Sequence, residues 1–399
     1  MLKIRKKKLA SIIALLAMFE PPYISELFPK LHLLCIVLKL AVLGVTITRV
    51  ISSYSNPGRH IKLPVLYIVY CAYQLLNTLV QGQAINLAIS DFCFCMYFVY
   101  ACTDSRTDLF DYLDSVHLVL SVYVVINLIT MILYPNGMWS VQGIGEYWFL
   151  GMDNMFIHYM YPLTVISVIL LKRRFKLTYL LAIIISVATL VSRWAVTSMI
   201  GIVIFLLLAM LPKAITKRIK PQYTFIAAIL VSVIVMGVYT SNWLEYIVVN
   251  VLHKDMTFSN RSFIWANALT YIGQKPLFGY GKLSSSSFSS MLEFGAHPHN
   301  MYLYQLFVNG GVGTLVYIIL SFMAFKRINK QIPQNYAVIL SAALTGIYIM
   351  GITESAAKVF FEIPLILALA SQPEKWEQAG IPDGSGHRRR IRLNLFRES

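Results

Sequence analysis

The 399-residue sequence has few charged residues, because Asp, Glu, Lys and Arg together make up 13% of it. A soluble domain usually has about a quarter charged residues, so this composition argues against an ordinary water-soluble enzyme. In contrast, 57% of the residues are hydrophobic and the mean hydropathy is +0.65. About twelve helical crossings of a bilayer would use roughly 240 residues. The composition therefore predicts an all-α polytopic membrane protein with about 12 transmembrane helices.

Cysteines and the common catalytic motifs are also scarce. We expect buried thiols rather than a metal site, since all five cysteines lie in apolar stretches. They are Cys35, Cys71, Cys93, Cys95 and Cys102. The sequence contains no HExxH, GxSxG or paired-cysteine motif. The glycine-rich stretch 276–281 lacks the Gly-Lys-Ser/Thr ending that a phosphate-binding P-loop requires.

The apolar runs predict twelve membrane spans. The first, at 9–19, follows a basic segment, but no small-residue cleavage site follows it, so we interpret it as a span rather than a signal peptide. The other spans are predicted at 31–51, 63–80, 84–103, 115–134, 154–171, 177–192, 195–211, 222–240, 301–325, 336–352 and 359–370.

The distribution of basic residues predicts the orientation of these spans. With the N-terminus inside, 26 of the 34 Lys and Arg residues lie in cytoplasmic segments, as the positive-inside rule requires. The net charge of +16 is therefore explained without a nucleic-acid partner. The prediction is a transmembrane domain over 1–370, with both termini cytoplasmic. It includes an external catalytic loop at 241–300 between spans nine and ten, and a disordered tail follows at 371–399.

Eight basic residues are not explained by the positive-inside rule. They are Lys30, Lys39, Arg193, Lys254, Arg261, Lys275, Lys282 and Lys358. Most of them face the outer side in this topology, where cations at the mouth of a helical bundle are candidates for binding an anionic substrate. For Lys30, Lys254, Lys275 and Lys282 we expect simple exposure in external loops.

Two acidic residues, Asp91 and Glu362, fall inside predicted spans. A carboxylate facing lipid is costly, so each should face the bundle or a wet cleft, and Lys39 is a plausible partner for one of them. Internal charges of this kind also fit a polysaccharide flippase or another membrane transporter, which is the main alternative class. Many transporters contain internal repeats, but the two halves of this sequence show none.

Several ionisable residues are predicted to lie on the outer side. They are His297, His299, Arg193, Arg261, Glu293, Glu354 and Lys358. A neutral imidazole can accept a proton from a hydroxyl group near neutral pH. Arginine binds two phosphate oxygens at once, which suits a diphosphate. Histidine and arginine at an outer membrane surface therefore suggest a hydroxyl group that attacks a lipid-diphosphate sugar.

The spacing of these residues strengthens this interpretation. His299 and Asn300 are followed after nine residues by Gly310, and then by Gly313-Thr314. This His-[Asn/Ser/Gln]-x9-Gly-x-x-Gly-Thr pattern resembles the O-antigen ligase and O-antigen polymerase family. The segments 260–265 and 276–281 resemble that family's R…W…P-L-x-G-x-G stretch, and Ser192-Arg193 resembles its Ser-Arg signature at an external turn. The twelve-span topology with its major loop between spans nine and ten is similar as well.

The resemblance implies roles for individual residues. His299 matches the catalytic histidine, while Arg261 and Arg193 match the arginines expected to bind the diphosphate. Asn300 would orient His299 or cap the following helix, and His297 has no clear role. Lys358 would add charge near the diphosphate, or it would reach towards the membrane interface. The glycines are expected to shape the external loop or to let the following helix bend: Gly279, Gly281, Gly310 and Gly313.

The resemblance also implies an activity. It predicts a membrane-embedded glycosyltransferase of the bacterial inner membrane that needs neither cofactor nor metal. The donor would be a polyprenyl-diphosphate-linked glycan. We favour a polysaccharide polymerase of O-antigen, capsule or exopolysaccharide; the alternative is a ligase acting on lipid A core or a protein. Membrane lipids, a flippase and a chain-length regulator would be its partners.

Overall fold

The computed structural model of the protein describes residues 6–54, 63–141, 145–211, 220–239, 261–293, 297–355 and 358–377. Within these ranges, the side chains of residues 6, 7, 54, 237–239, 261 and 262 are outside the description. The predicted external loop is therefore described at 261–293 and 297–300.

The described chain is almost entirely helical. Its helices are α1 (Lys6–Met18), α2 (Pro22–Leu27), α3 (Pro29–Tyr54), α4 (Val65–Val80), α5 (Ile85–Thr103), α6 (Leu109–Leu133), α7 (Ile157–Arg173), α8 (Leu177–Ser192), α9 (Val196–Met210), α10 (Pro221–Tyr239), α11 (Arg261–Gln274), α12 (Ser285–Leu292), α13 (Met301–Gln331), α14 (Gln334–Met350), α15 (Ile363–Ala370) and α16 (Pro373–Glu377). Short 3-10 helices span Asp153–Met155 and Val359–Glu362. Strands β1 (Trp139–Val141) and β2 (Gly145–Tyr147) pair antiparallel, with Trp139 opposite Tyr147.

Five helices among the described residues are long and apolar enough to cross a membrane, judged by length and composition: Pro29–Ser53, Ile85–Thr103, Leu109–Leu133, Asp153–Arg173 and Met301–Gln331. Seven shorter apolar helices lie where the other seven spans are predicted. Several helices expose an apolar face, such as Leu33, Val37 and Leu40 on α3. Such a face is stable against lipid rather than water. The prediction of an all-α polytopic membrane protein is confirmed.

Small residues and aromatic rings allow the helices to pack closely. A Cβ added at Gly346 of α14 would clash with the Tyr161 hydroxyl oxygen and would lie 3.1 Å from the carbonyl oxygen of Gly201 on α9, so glycine favours the close approach of these helices. The Tyr161 hydroxyl donates a hydrogen bond to the Ala343 carbonyl oxygen (2.6 Å), which ties α7 to α14. The five cysteines are free and buried, as expected.

The pairing of the buried charges differs from the expectation. Lys39 binds Glu20 at 2.8 Å rather than Asp91 or Glu362, because α1 ends beside the middle of α3. Asp91 forms an ion pair with Lys282 of the external segment. Lys282 is buried, so the prediction that it is simply exposed is wrong. Glu362 is buried, as expected for an acid that faces the bundle.

The start of the tail also differs from the expectation of disorder. Lys375 is buried and donates hydrogen bonds to the carbonyl oxygens of Ala101, Asp104 and Thr107. Ala101 belongs to the last turn of α5, where a helix leaves carbonyl oxygens without internal partners, and Asp104 and Thr107 follow the helix. Residues 371–377 are therefore packed against the bundle, whereas 378–399 lie outside the described residues.

Candidate active site

The glycine-rich loop after α11 packs into a break in α13. The helix is interrupted at Gly310, where φ is 61° and ψ is −172°. On one side of the break, the Tyr280 N–H donates to the Phe307 carbonyl oxygen (2.9 Å). On the other side, the Gly311 N–H donates to the Pro276 carbonyl oxygen (2.7 Å). The loop thus satisfies backbone groups that the break in the helix would otherwise leave unpaired.

Glycine is required at this junction for two reasons. Gly279 and Gly310 both have a positive φ, of 68° and 61°. A side chain at Gly279 would also lie 2.6 Å from the Phe307 carbonyl oxygen, and one at Gly310 would clash with the Leu277 carbonyl. Any substitution here would strain the backbone and separate the loop from α13.

The neighbouring helix α4 packs against the same loop and forms hydrogen bonds with it. The Asn77 side chain donates hydrogen bonds to the Phe278 and Val308 carbonyl oxygens (2.7 and 3.2 Å), one on each side of the junction. Gly281 lies so close to Thr78 that a Cβ would be 2.8 Å from its Cα. A Cβ added at Gly313 would likewise lie 2.6 Å from a ring carbon of Tyr73. The glycines of both sequence motifs therefore belong to one structural unit.

Three ionisable side chains meet at the start of α13. The Glu354 Oε1 atom lies 3.7 Å from Nδ1 of His299 and 3.9 Å from Nε2 of His297. The two imidazole rings are 4.2 Å apart. We call His297, His299 and Glu354 the histidine–glutamate cluster. Nδ1 of His299 is buried without a hydrogen-bond partner among the described residues, so its contact with Glu354 is electrostatic.

The backbone around the cluster is held from several directions. His299 itself has a left-handed conformation with φ of 47°. The Trp265 indole N–H of α11 donates to the Pro298 carbonyl oxygen (2.8 Å), between the two histidines. The Ser355 Oγ lies 2.7 Å from Nδ1 of His297. The cluster therefore joins α11, the start of α13 and the segment after α14.

Asn300 caps the helix that follows the cluster. Its side-chain oxygen accepts hydrogen bonds from the N–H groups of Tyr302 and Leu303 (3.0 and 2.9 Å). Its amide donates to Ser232 of α10 and to the Ile352 carbonyl oxygen (3.1 and 2.9 Å). Within the described part of the chain, no hydrogen bond joins Asn300 to the His299 imidazole. Asn300 therefore acts on His299 through the backbone, as a helix cap.

The carboxylate of Glu354 is stabilised as an anion. Burial alone would raise its pKa, but His299, His297 and His158 outweigh burial and lower the pKa to about 2. Glu354 therefore stays ionised at any physiological pH. An ionised carboxylate at this position can stabilise an imidazolium that forms beside it during a proton transfer.

The same cluster offers a possible set of metal ligands. One atom from each of His297, His299 and Glu354 lies within 4.8 Å of the others. Two histidines and one glutamate form a familiar zinc-binding combination. The prediction of metal-independent chemistry therefore stays a prediction and needs a direct test.

Arg193 lies at the same end of the bundle as the cluster. It follows α8, and Thr197 of the next helix contacts Thr353 beside Glu354 (Oγ1 to Oγ1, 3.2 Å). Its guanidinium stacks 3.7 Å above the Trp148 ring centre and donates to the Pro135 carbonyl oxygen (3.1 Å). Its Nε is buried without a hydrogen-bond partner among the described residues.

The other predicted site residues are less fully placed. Arg261 is the first residue of α11, one helical turn before Trp265, but its side chain is outside the described residues. Lys358 lies near enough to Lys39, Glu20 and Glu26 to interact electrostatically with them. His297, expected to have no clear role, lies inside the cluster.

Comparison with known proteins supports the resemblance seen in the sequence. Residues 155–318 match a family model described as O-Antigen ligase, a segment that contains Arg193, Arg261 and His299. The chain is also 29% identical over 105 residues to "Putative polysaccharide ligase" of Rickettsia conorii, which is 23% of this chain and 26% of that protein. The chain therefore matches about a quarter of the length of this curated relative. The matches confirm the predicted resemblance to the O-antigen ligase and polymerase family.

Glu354 is the residue that sequence reasoning did not assign to the site. It lies 55 positions after His299, in a short polar segment between two apolar helices. The only local signal was an acidic residue on the predicted outer side with no basic neighbour in the chain before Lys358. Its relation to the histidines becomes visible only in three dimensions.

Proposed function

We propose that the protein is a membrane glycosyltransferase that transfers a glycan from polyprenyl diphosphate to a sugar hydroxyl group. The observation that carries this proposal is the histidine–glutamate cluster, whose two histidines lie inside the family-matched region. Arg193 lies at the same end of the bundle. A proton acceptor and a fixed cation are the groups that such a transfer needs on the two sides of an anomeric carbon.

His299 acts as the general base in this mechanism. Its Nδ1 faces Glu354 at 3.7 Å, so Nε2 is the nitrogen that takes the proton of the acceptor hydroxyl group. The hydroxyl oxygen forms a bond to the anomeric carbon while the carbon–oxygen bond to the diphosphate breaks. The electron pair of that bond leaves with the diphosphate oxygen. Glu354 stabilises the imidazolium that results, and the single displacement inverts the anomeric configuration.

The two arginines stabilise the leaving diphosphate. Arg193 stacks on the Trp148 ring, donates to the Pro135 carbonyl oxygen with one of its five N–H groups and lies 4.0 Å from Glu146. Arg261 begins the helix whose next turn, at Trp265, is bonded to the histidine segment. Fixed guanidinium groups in a partly dehydrated site stabilise developing negative charge without solvent reorganisation. No metal or cofactor is needed in this scheme.

The acceptor distinguishes a polymerase from a ligase. We propose a polymerase acting on a lipid-linked repeat unit, because the external segment of about 60 residues offers modest room for a lipid A core. A ligase is the alternative, and the name of the Rickettsia relative favours it. Incubation of the purified protein with lipid-linked repeat units alone separates the two. A series of glycan products whose lengths differ by one repeat unit supports the polymerase. A single transfer that requires lipid A core supports the ligase.

The same assay tests the transporter alternative. A flippase would move the lipid-linked glycan across a vesicle membrane without changing its length. If the glycans keep their length and the protein moves the lipid-linked glycan across the membrane, the protein is a flippase and the proposed transfer reaction is wrong. A flippase and a chain-length regulator are instead proposed as partners of this enzyme.

The proposed membrane orientation places the cluster on the outer face of the bacterial inner membrane and both termini in the cytoplasm. The distribution of 26 of 34 basic residues supports it. An impermeant thiol reagent should label Ser285→Cys, which lies exposed on α12, but not Ser385→Cys in the tail. The reverse labelling pattern in intact cells would show that the proposed orientation is wrong.

A further inference from the structure

A cavity lies at the end of the bundle opposite to the histidine–glutamate cluster. At its start, α7 contacts the cluster, where the His158 Nε2 donates to the Ser355 carbonyl oxygen (3.4 Å). The helix ends at Arg173, and Lys176, which follows, lines a cavity of about 390 Å³ between α6 and α8. Cavities of roughly 300–1,000 Å³ are typical of ligand-binding sites. This cavity has no part in the proposed transfer reaction.

The walls of the cavity are mainly apolar. They are formed by Leu118, Val124, Val125, Leu163, Leu181 and Ile185. Leu163 and Val124 are buried and form the floor, while Leu118 and Leu181 are exposed at the sides. An apolar cavity that opens sideways between two membrane helices suits a hydrocarbon chain.

The mouth of the cavity is positively charged. Asp114 contacts Lys8 at 2.9 Å, Lys176 at 3.3 Å and Arg174 at 3.8 Å. It also accepts a hydrogen bond from the Tyr179 hydroxyl (2.7 Å). Three cations share Asp114, and the charge of Asp111 also acts on Arg174, so these five groups keep a net charge of +1 at neutral pH. Both lysine side chains remain about a third exposed, at 38% each, and can still donate to a ligand.

We infer that this cavity binds an anionic phospholipid of the cytoplasmic leaflet. The headgroup phosphate contacts Lys8, Arg174 and Lys176, and one acyl chain enters the apolar cavity. A zwitterionic lipid carries no net charge to match the cationic mouth, and a soluble anion would leave the apolar walls unfilled. Basic pockets between membrane helices on the cytoplasmic side are suited to acidic headgroups. The bound lipid would join α1, α6 and α8.

Native mass spectrometry of the purified protein, offered equal amounts of phosphatidylglycerol and phosphatidylcholine, tests this site. We expect the full-length protein to retain phosphatidylglycerol preferentially. The double variant Lys8→Gln/Lys176→Gln should lose about thirtyfold in affinity, since each cation near an anionic headgroup contributes a factor of about five. The matched control Lys326→Gln/Lys330→Gln removes two exposed lysines from the same end of the bundle, and it should bind as the wild type does.

A third variant separates the cavity from the charges at its mouth. Ser121 lines the cavity, so Ser121→Leu fills it while leaving Lys8, Arg174 and Lys176 in place. We expect this variant also to lose phosphatidylglycerol retention. Equal retention of the two lipids by the wild type would overturn the proposal. So would unchanged binding by Lys8→Gln/Lys176→Gln or by Ser121→Leu, or an equal loss in the control.

Discussion

The two ends of the helical bundle use charged and polar groups differently. At the end that holds the tail, Lys375 donates to three carbonyl oxygens, and Arg327 donates to those of Ala368 and Ser371. At the opposite end, Nδ1 of His299 and Nε of Arg193 are buried without hydrogen-bond partners among the described residues. Unpaired buried groups are costly and therefore informative. Lys375 and Arg327 at the first end thus serve structure, whereas the buried nitrogens of His299 and Arg193 at the second end are available for a substrate.

The backbone shows the same difference. Among the described residues, the non-glycine positions with positive φ are Trp194, Glu293 and His299. Trp194 follows Arg193, and Glu293 ends α12 of the external segment. The break in α13 at Gly310 also lies on this side of the molecule. Backbone strain of this kind is typical of functional sites.

Removing both diphosphate-binding cations should have the largest effect. The double variant Arg193→Ala/Arg261→Ala should lose about 10³-fold or more in transfer rate, because each fixed donor to developing charge is worth roughly 10²-fold or more. The rate of elongation of lipid-linked repeats measures this loss. Lys275→Ala, which removes an exposed cation of the same external segment, is the control and should retain activity. Comparable losses in the control would mean that general charge, rather than these arginines, binds the donor.

Glu354→Gln should also impair the reaction, by about tenfold or more in turnover, because a neutral amide cannot stabilise the imidazolium of His299. Glu26→Gln, at an acidic residue of the same end outside the cluster, is the matched control. The assay compares turnover with the concentration of donor needed for half-maximal rate. If Glu354→Gln and Glu26→Gln behave alike, Glu354 does not support His299.

Chelation tests whether the cluster acts as a base or as a metal site. EDTA should leave the transfer rate of the purified enzyme unchanged, since the arginines provide the positive charge. Loss of activity with EDTA and recovery with Mg²⁺, Mn²⁺ or Zn²⁺ would show that His297, His299 and Glu354 hold a metal ion.

The smallest effect on catalysis is expected for Lys375, at the end of the bundle that holds the tail. Lys375→Met should leave the turnover of each folded molecule unchanged, but it should lower stability by about 2 kcal/mol or more through the loss of charged hydrogen bonds to three carbonyls. Thermal unfolding in detergent measures the stability, and activity is normalised to folded protein. A drop in turnover as large as that of Glu354→Gln would show that Lys375 affects catalysis as well as stability, against the contrast drawn between the two ends of the bundle.

The sequence predicts some of these features well, because they are encoded locally. Each apolar run corresponds to a helix, since a membrane span is defined by its own composition. The glycine spacing after His299 likewise anticipates a break at Gly310. In contrast, the Lys39–Glu20 and Lys282–Asp91 pairs depend on which helices become neighbours. Glu354 joins His299 for the same reason, and no local pattern in the chain carries that information.

The most direct test of the account is a single-turnover measurement with lipid-linked donor already bound to the enzyme. His299→Ala should bind donor as the wild type does, but it should transfer the glycan about 10²-fold or more slowly, as expected for loss of a general base. His297→Ala should lose less, since His297 contacts the cluster without being the proposed base. A near-normal rate of transfer in His299→Ala would contradict the proposed mechanism.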